Sequence, residues 1–283
     1  HYPLRRQRQM CIRDSPDGQL PLFNGASENN IKQLDEYLKV NDKKRNTEDV
    51  IGGIYKLKQK NHIVFFDIGR PPQKKFSKCY QSGPLSFEYY LDGVKIISNS
   101  GFGSNISSKA KLLSRLTACQ TTLTLNDTSV TKFERNKLIN KIFGSSIRDT
   151  FKTYDVKIYK EKNFISCSAL HNGYEKKFGC TYKRELYFDK ENNYLKGSDH
   201  IFKKKDGIPI RYVFRFHMNP ELTVVKTMGG NSALIQISKN KSLIFSIDNE
   251  ALEIEKSIFL GRKKILDNTC ITISGNLVNK NKS

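Results

Sequence analysis

Two short runs hold side chains suited to gripping an anion beside a ring. In Arg211-Tyr212-Val213-Phe214-Arg215-Phe216-His217 the two-residue period of an extended strand sends Arg211, Val213, Arg215 and His217 to one face and Tyr212, Phe214 and Phe216 to the other. The aromatic face reads as core and the opposite face as cationic. In the second run Tyr182, Arg184 and Leu186 alternate against Lys183 and Glu185, and His171-Asn172-Gly173-Tyr174 stands at a strand end where a side chain can project. Charge-assisted hydrogen bonds take carboxylates and sulfates, and aromatic rings take the apolar face of a sugar. A plainly solvated outer face is the competing reading of the same pattern.

Other chemistries find no support. No H-E-x-x-H, G-x-S-x-G or Walker loop occurs, and Gly101-Phe102-Gly103 lacks a third glycine and a following helix, so it reads as a strand-ending turn. The cysteines Cys11, Cys79, Cys119, Cys167, Cys180 and Cys270 form no C-x-x-C pair, which indicates neither a zinc ribbon nor a disulfide framework. They read as small buried hydrophobes. His62, at a strand start among charged residues, reads as a surface side chain.

The 283 residues carry 49 Lys and Arg against 28 Asp and Glu, a formal charge of +21. Lysine dominates with 36 residues against 13 arginines, and four of those arginines lie in residues 1–15. Base and phosphate readers lean on the planar two-pronged guanidinium, so scattered lysine points first to a solvated surface, then to an acidic polysaccharide, and least to nucleic acid. No stretch approaches eighteen apolar residues, so no membrane-spanning helix is expected.

The elements follow from periodicity. Residues 1–15 have neither helical nor alternating pattern; RQRQMCIRDS resembles a translated sequencing adapter and is set aside, which makes the chain an expected fragment. Ile31, Leu34 and Leu38 mark one amphipathic helix from Ser27 to about Val40. After Val50 the period becomes two, through fourteen strand-like runs between 61 and 274 with Asp92-Gly93 as a hairpin turn and brief helical turns at Ala110–Leu116 and Lys137–Phe143. The expected fold class is all-β: a large antiparallel two-layer β-sandwich preceded by one amphipathic helix.

Four segments, in order, carry a resemblance. Gln81-Ser82-Gly83-Pro84-Leu85-Ser86-Phe87-Glu88 resembles the H-A-[DG]-x-L-S-F-E motif of the heparinase II/III-like polysaccharide lyases, and Ala118–Ser129 resembles their A-A-H-S-T-L-T-L-x-D-T-S segment. His171-Asn172-Gly173-Tyr174 resembles H-D-G-Y, and Arg215-Phe216-His217-Met218-Asn219-Pro220 resembles R-F-H-L-H-P. The resemblance implies an N-terminal α/α toroid joined to a C-terminal β-sandwich, with a uronate-containing glycan in the cleft between them. It implies β-elimination, with carboxylate neutralisation, a base for the C5 proton and an acid for the departing O4, the base and acid coming largely from the toroid. Both motif histidines are replaced, by Gln81 and Gln120, and a carboxylate of some relatives by about Asn99. Metal-binding relatives use those positions, so no metal or other cofactor is expected; the three amides are expected to hydrogen-bond one another instead.

These readings set the expectations. Residues 1–15 form a foreign or unstructured tail, 16–50 the end of the toroid and linker, and 51–283 the sandwich. The candidate glycan-facing residues are His171, Tyr174, Arg184, Arg215 and His217, sharing the face that meets the toroid. The partners are an acidic polysaccharide and the toroid, with no nucleic acid and no membrane span, in a periplasmic or cell-envelope location. The alternatives are a glycan-binding or assembly module that has lost lyase chemistry, and an unrelated basic sandwich binding a polyanion.

Overall fold

The computed structural model describes residues 21–26, 49–134, 136, 138, 140, 145–204, 209–248 and 250–277. The expected helix over 27–40 and the tail over 1–15 lie outside the described residues, as does most of the turn expected at Lys137–Phe143. The other expected turn is present as a six-residue helix, α1 (Ser108–Leu113), whose N-cap Ser107 accepts a hydrogen bond from the Ala110 amide.

Among the described residues alternation builds three antiparallel sheets. The largest runs β1 (Val50–Ile51), β2 (Ile54–Gln59), β3 (His62–Asp67), β4 (Phe87–Leu91), β5 (Val94–Ser98), β11 (Ile210–Met218), β16 (Leu266–Leu277) and β15 (Glu253–Phe259), with β6 (Leu123–Leu125) also paired to β11. A four-stranded sheet orders β10 (Tyr194–Lys203), β9 (Cys180–Asp189), β8 (Phe164–Tyr174) and β7 (Thr153–Lys160). A three-stranded sheet orders β12 (Thr223–Lys226), β13 (Ser232–Ser238) and β14 (Lys241–Ser246). The β4–β5 hairpin turns through Asp92 and Gly93, both at positive φ, as the sequence predicts.

The inner faces of all three sheets share one core. Tyr182 of β9 lies 6.0 Å from Phe214 of β11, and Phe216 lies 5.0 Å from Phe245 of β14. Strand β3 is buried along its whole length, which explains its unbroken His-Ile-Val-Phe-Phe-Asp apolar run: a strand covered on both faces cannot alternate. Its outward residues Ile63 and Phe65 join Ile54, Tyr90 and Phe23 in a second cluster on the far side of the sheet. The segment 21–26 therefore packs on that outer face, with Leu22 wholly buried.

His62 corrects its sequence reading. It is buried, its Nδ1 2.7 Å from the Tyr89 hydroxyl and its Nε2 3.0 Å from Asn193 Nδ2, with Phe188 of the facing sheet at 4.8 Å. The imidazole ties the two layers at one end, and burial followed by Lys241 and Lys60 holds its pKa below the ordinary histidine range.

Candidate functional site

The two faces of β11 divide the expected site. Phe214 and Phe216 point between the layers, whereas Arg215 and His217 point outward, beneath the loop that carries Ala118 and Cys119. His171, Tyr174 and Arg184 belong to the four-stranded sheet and point inward. The five residues therefore do not share one face, which corrects the expectation of a common glycan-facing set.

The inward three form a packed polar core. Arg184 is 1% exposed; its Nε and Nη2 donate to the two carboxylate oxygens of Asp199 at 2.7 and 3.1 Å, and Nη1 donates to the carbonyls of Leu85 and Thr121 at 3.0 and 2.7 Å. The rings of Phe87, Phe216 and Tyr182 surround the guanidinium. Asp199 also accepts the Tyr182 hydroxyl at 2.5 Å. His171, fully buried, accepts the Gly173 amide at Nδ1 and lies against Phe151, Tyr174 and Tyr182, and burial and the charge of Arg184 push its pKa down to about 3. The Tyr174 hydroxyl donates to the carbonyls of Leu123 and Thr128. A glycan reaches none of these without unfolding the sheet.

His217 is buried as well. Its Nε2 donates to the Ala118 carbonyl at 3.0 Å and its Nδ1 lies 3.2 Å from the Ser257 hydroxyl; burial, partly opposed by that carbonyl, lowers its pKa to about 4. Burial also pushes the neighbouring thiols up, Cys119 to about 11 and Cys270 to about 12. Neutral imidazole and protonated thiols make this a structural pocket.

Arg215 alone of the five reaches a solvent-lined rim. Its Nη1 donates to Thr124 Oγ1 at 2.5 Å, and its Nη2 lies 3.6 Å from Asp127 Oδ1, while Arg211 holds the other oxygen of Asp127 at 3.1 Å. Asp127 sits with Asn126 in a two-residue turn where both φ values are positive, 50° and 45°. That conformation favours glycine; an aspartate is held there by its two arginines, and Asn126 exchanges hydrogen bonds with the Arg211 backbone.

The substituted motif positions lie on the same side, around segment 21–26. Gln81 Nε2 donates to the carbonyls of Gly101 and Ser114 at 3.0 and 3.1 Å, and its Oε1 accepts the Gly25 amide at 2.9 Å. Gln120 Nε2 donates to the same Ser114 carbonyl at 2.9 Å. Asn99 Oδ1 accepts the Thr121 amide at 2.8 Å, and its Nδ2 lies 3.5 Å from the Leu22 carbonyl. This corrects the expected network of amides bonded to one another: two of them converge on one backbone carbonyl instead, because backbone groups crowd the site. Gly101, at positive φ, packs so tightly against Gly261 that any Cβ would lie 2.3 Å from its Cα. Among the described residues no group of three His, Cys, Asp or Glu is placed to hold a metal ion.

The supports of this region gave no sequence signal. Arg115 is buried over the Phe133 ring and donates to the carbonyls of Tyr80, Ser145 and Ser77, fixing the loop that carries Cys79 and Gln81; burial lowers its pKa to about 10. Glu88, the last residue of the first motif, accepts the Asn99 amide at 3.1 Å and lies 3.6 Å from Lys95, both buried. A lone basic residue beside a short apolar run, and a Glu-to-Lys spacing across a hairpin, both read as surface until the cover is known.

Similar folds occur among solved structures of polysaccharide lyases. The chain superposes on heparan sulfate lyase HepC from Pedobacter heparinus with a TM-score of 0.71 at 14% identity, covering 95% of this chain and 43% of that one. It superposes on a heparinase III structure with a TM-score of 0.69 at 14% identity, over 98% of this chain and 46% of that one. A further heparinase III gene product gives 0.68 at 14% identity. The chain thus spans less than half the length of these proteins. The family profile described as heparinase II/III-like, C-terminal, matches residues 42–282, and the chain belongs to that family. No curated protein sequence matches it.

Proposed function

We propose that this chain is the sandwich half of a polysaccharide lyase that cleaves a uronate-containing glycan by β-elimination, and that its Arg215 rim contributes to holding the glycan. The family match over 42–282 carries this reading. The Arg211–Asp127–Arg215 cluster supports it, since two guanidinia at a solvent-lined rim offer planar donors for a carboxylate or sulfate. His171, Tyr174, Arg184 and His217 serve as scaffold. The catalytic base and acid are assigned to an N-terminal helical domain, the natural partner for the outer face on which Leu22 and Phe23 pack. The remaining partner is the acidic polysaccharide, in the periplasm or cell envelope. Among the described residues no helix is long and apolar enough to cross a membrane.

The test has two arms. The chain alone, incubated with heparan sulfate, hyaluronan or alginate, is expected to give no growth of the near-ultraviolet absorbance of an unsaturated uronate. Joined to a helical domain of its own family, it is expected to give that signal, and Arg215→Met is expected to raise KM. Robust turnover by the chain alone overturns the assignment of base and acid to the other domain.

A second reading, a glycan-binding module without chemistry, is favoured by one observation: Gln81 and Gln120 spend their amides on the Ser114 carbonyl, leaving no imidazole at either motif position. Glycan retention without turnover in the joined protein would select it.

A further inference from the structure

We propose that the outer face of the four-stranded sheet is a second binding platform, for an acidic oligosaccharide, on the side of the molecule opposite the Arg215 rim. Register places the residues. Pairing of β7 to β10 lines up Tyr154, Leu170, Lys183 and His200 in one outward row, and Tyr159, Ser166, Tyr187 and Lys196 in another. Between them lies a row of shorter or flexible side chains, Lys157, Ser168, Glu185 and Ser198.

Alternate residues of a strand repeat about every 6.7 Å, so the two banks stand about 13 Å apart, and the trough crosses four strands over about 14 Å. A sugar chain fits such a trough lengthwise.

The face is aromatic, and it is open. Tyr154 is 40% exposed, Tyr159 51%, Tyr194 45% and Phe202 48%. Phe164 stacks on Tyr187 at 5.1 Å, and His200 on Phe202 at 6.3 Å, so these rings are held in place before any ligand arrives. Exposed rings on a sheet face exact a hydration cost that a packed core does not relieve here, because the inward residues of the same strands already fill the core.

The composition selects the occupant. A protein partner wants aliphatic surface between the rings; here Lys157, Glu185 and Ser198 stand there instead, beside the buried Ser166 and Ser168, and offer polar partners to a sugar whose apolar face stacks on tyrosine. Residues 151–204, the four strands and their turns, hold twelve Lys and Arg against seven Asp and Glu, which favours an anionic chain. Glu185 does not oppose this, since Lys183 lies 3.7 Å from its carboxylate.

The platform draws its ligand class from its own surface and stands apart from the rim site, so either can fail alone. The chain has no Trp, so Tyr159→Trp installs a single reporter. Its emission is expected to change on titration with hyaluronan or heparin oligosaccharides. At salt high enough to screen the +21 charge, Tyr159→Ala/Tyr187→Ala is expected to be retained about tenfold more weakly on the immobilised glycans, a loss of about 1.4 kcal/mol. Phe76→Ala, an exposed ring outside this face, is expected to leave that retention unchanged. Unaltered retention of the double variant, an equal loss in Phe76→Ala, a silent indole in the Tyr159→Trp variant, or a response to single-stranded DNA without one to glycan would each overturn the proposal. If the double variant misfolds, the indole reporter, on a side chain already half exposed, decides alone.

Discussion

Arg184 and Arg215 occupy equivalent places in two strands of like pattern, yet they do opposite work. Both alternate with aromatics, and both carry a carboxylate partner. Arg184 faces the space between two sheets, loses its water, and recovers the cost through Asp199, two backbone carbonyls and three rings. Arg215 faces away from that space, shares Asp127 with Arg211, and keeps its side chain 16% exposed. Alternation fixes which side a residue takes; what covers that side decides whether a cation is scaffold or ligand. For a buried pair the desolvation penalty makes an unpartnered survivor costly, while an exposed pair is screened.

The widest separation is expected in stability. Arg184→Met takes the guanidinium from the Asp199 carboxylate, which keeps the Tyr182 hydroxyl but no cation from this strand, and from the buried carbonyls of Leu85 and Thr121, and is expected to cost about 3–5 kcal/mol in chemical denaturation. Arg215→Met, whose carboxylate partner remains in water and keeps Arg211, is expected to cost about 1 kcal/mol or less. Equal losses would break the comparison.

Acid sharpens it from another side. His171 and His217 have folded pKa values lowered to about 3 and about 4, below the ordinary 6.5 of the unfolded chain. Between those limits the unfolded chain binds protons that the folded chain refuses, so stability rises with pH there. Their contribution is complete above about pH 6.5 and is lost as pH falls toward the folded values, by about 1.4 kcal/mol per unit for each group. Denaturation midpoints at pH 7.5, 6.0 and 5.0 are expected to fall in that order, and His217→Gln is expected to reduce the slope. A flat profile in the unmodified chain would show that neither imidazole is sequestered.

How much of this was legible follows from the same physics. The strands were, because a period of two survives wherever one face stays open and an unbroken apolar run marks β3, which is covered on both, and the Asp92-Gly93 hairpin was, because few residues tolerate that turn. Strand β2 precedes the first expected run: Ile54–Gln59 lies inside the span expected to be sandwich and alternates lysines with apolar residues, but it is short and follows the glycine pair at 52–53, so no separate strand is expected there. The site was half legible. The motifs located Gln81, Gln120 and Arg215, but burial of His171, Tyr174 and Arg184 depends on a second sheet more than thirty residues away in sequence. No local pattern encodes the distance at which Arg115 finds the carbonyls of Ser77 and Tyr80.

The smallest effect is the one that tests the amides. Ser114's carbonyl accepts from both Gln81 and Gln120, so removing either leaves it satisfied. Gln120→Ala then deletes one shared hydrogen bond and the packing of its side chain against Gly83, where a Cβ would meet Gln120 Cγ at 2.7 Å; the expected loss is about 1 kcal/mol. Gln81→Ala removes more, because its oxygen also receives the Gly25 amide and its nitrogen also serves the Gly101 carbonyl, leaving two backbone groups short of a partner. Its expected loss is about 2 kcal/mol, with faster hydrogen exchange at Gly25 than in Gln120→Ala. If the two variants lose the same stability and protect Gly25 alike, the amide of Gln81 is not what fastens segment 21–26 to the sandwich.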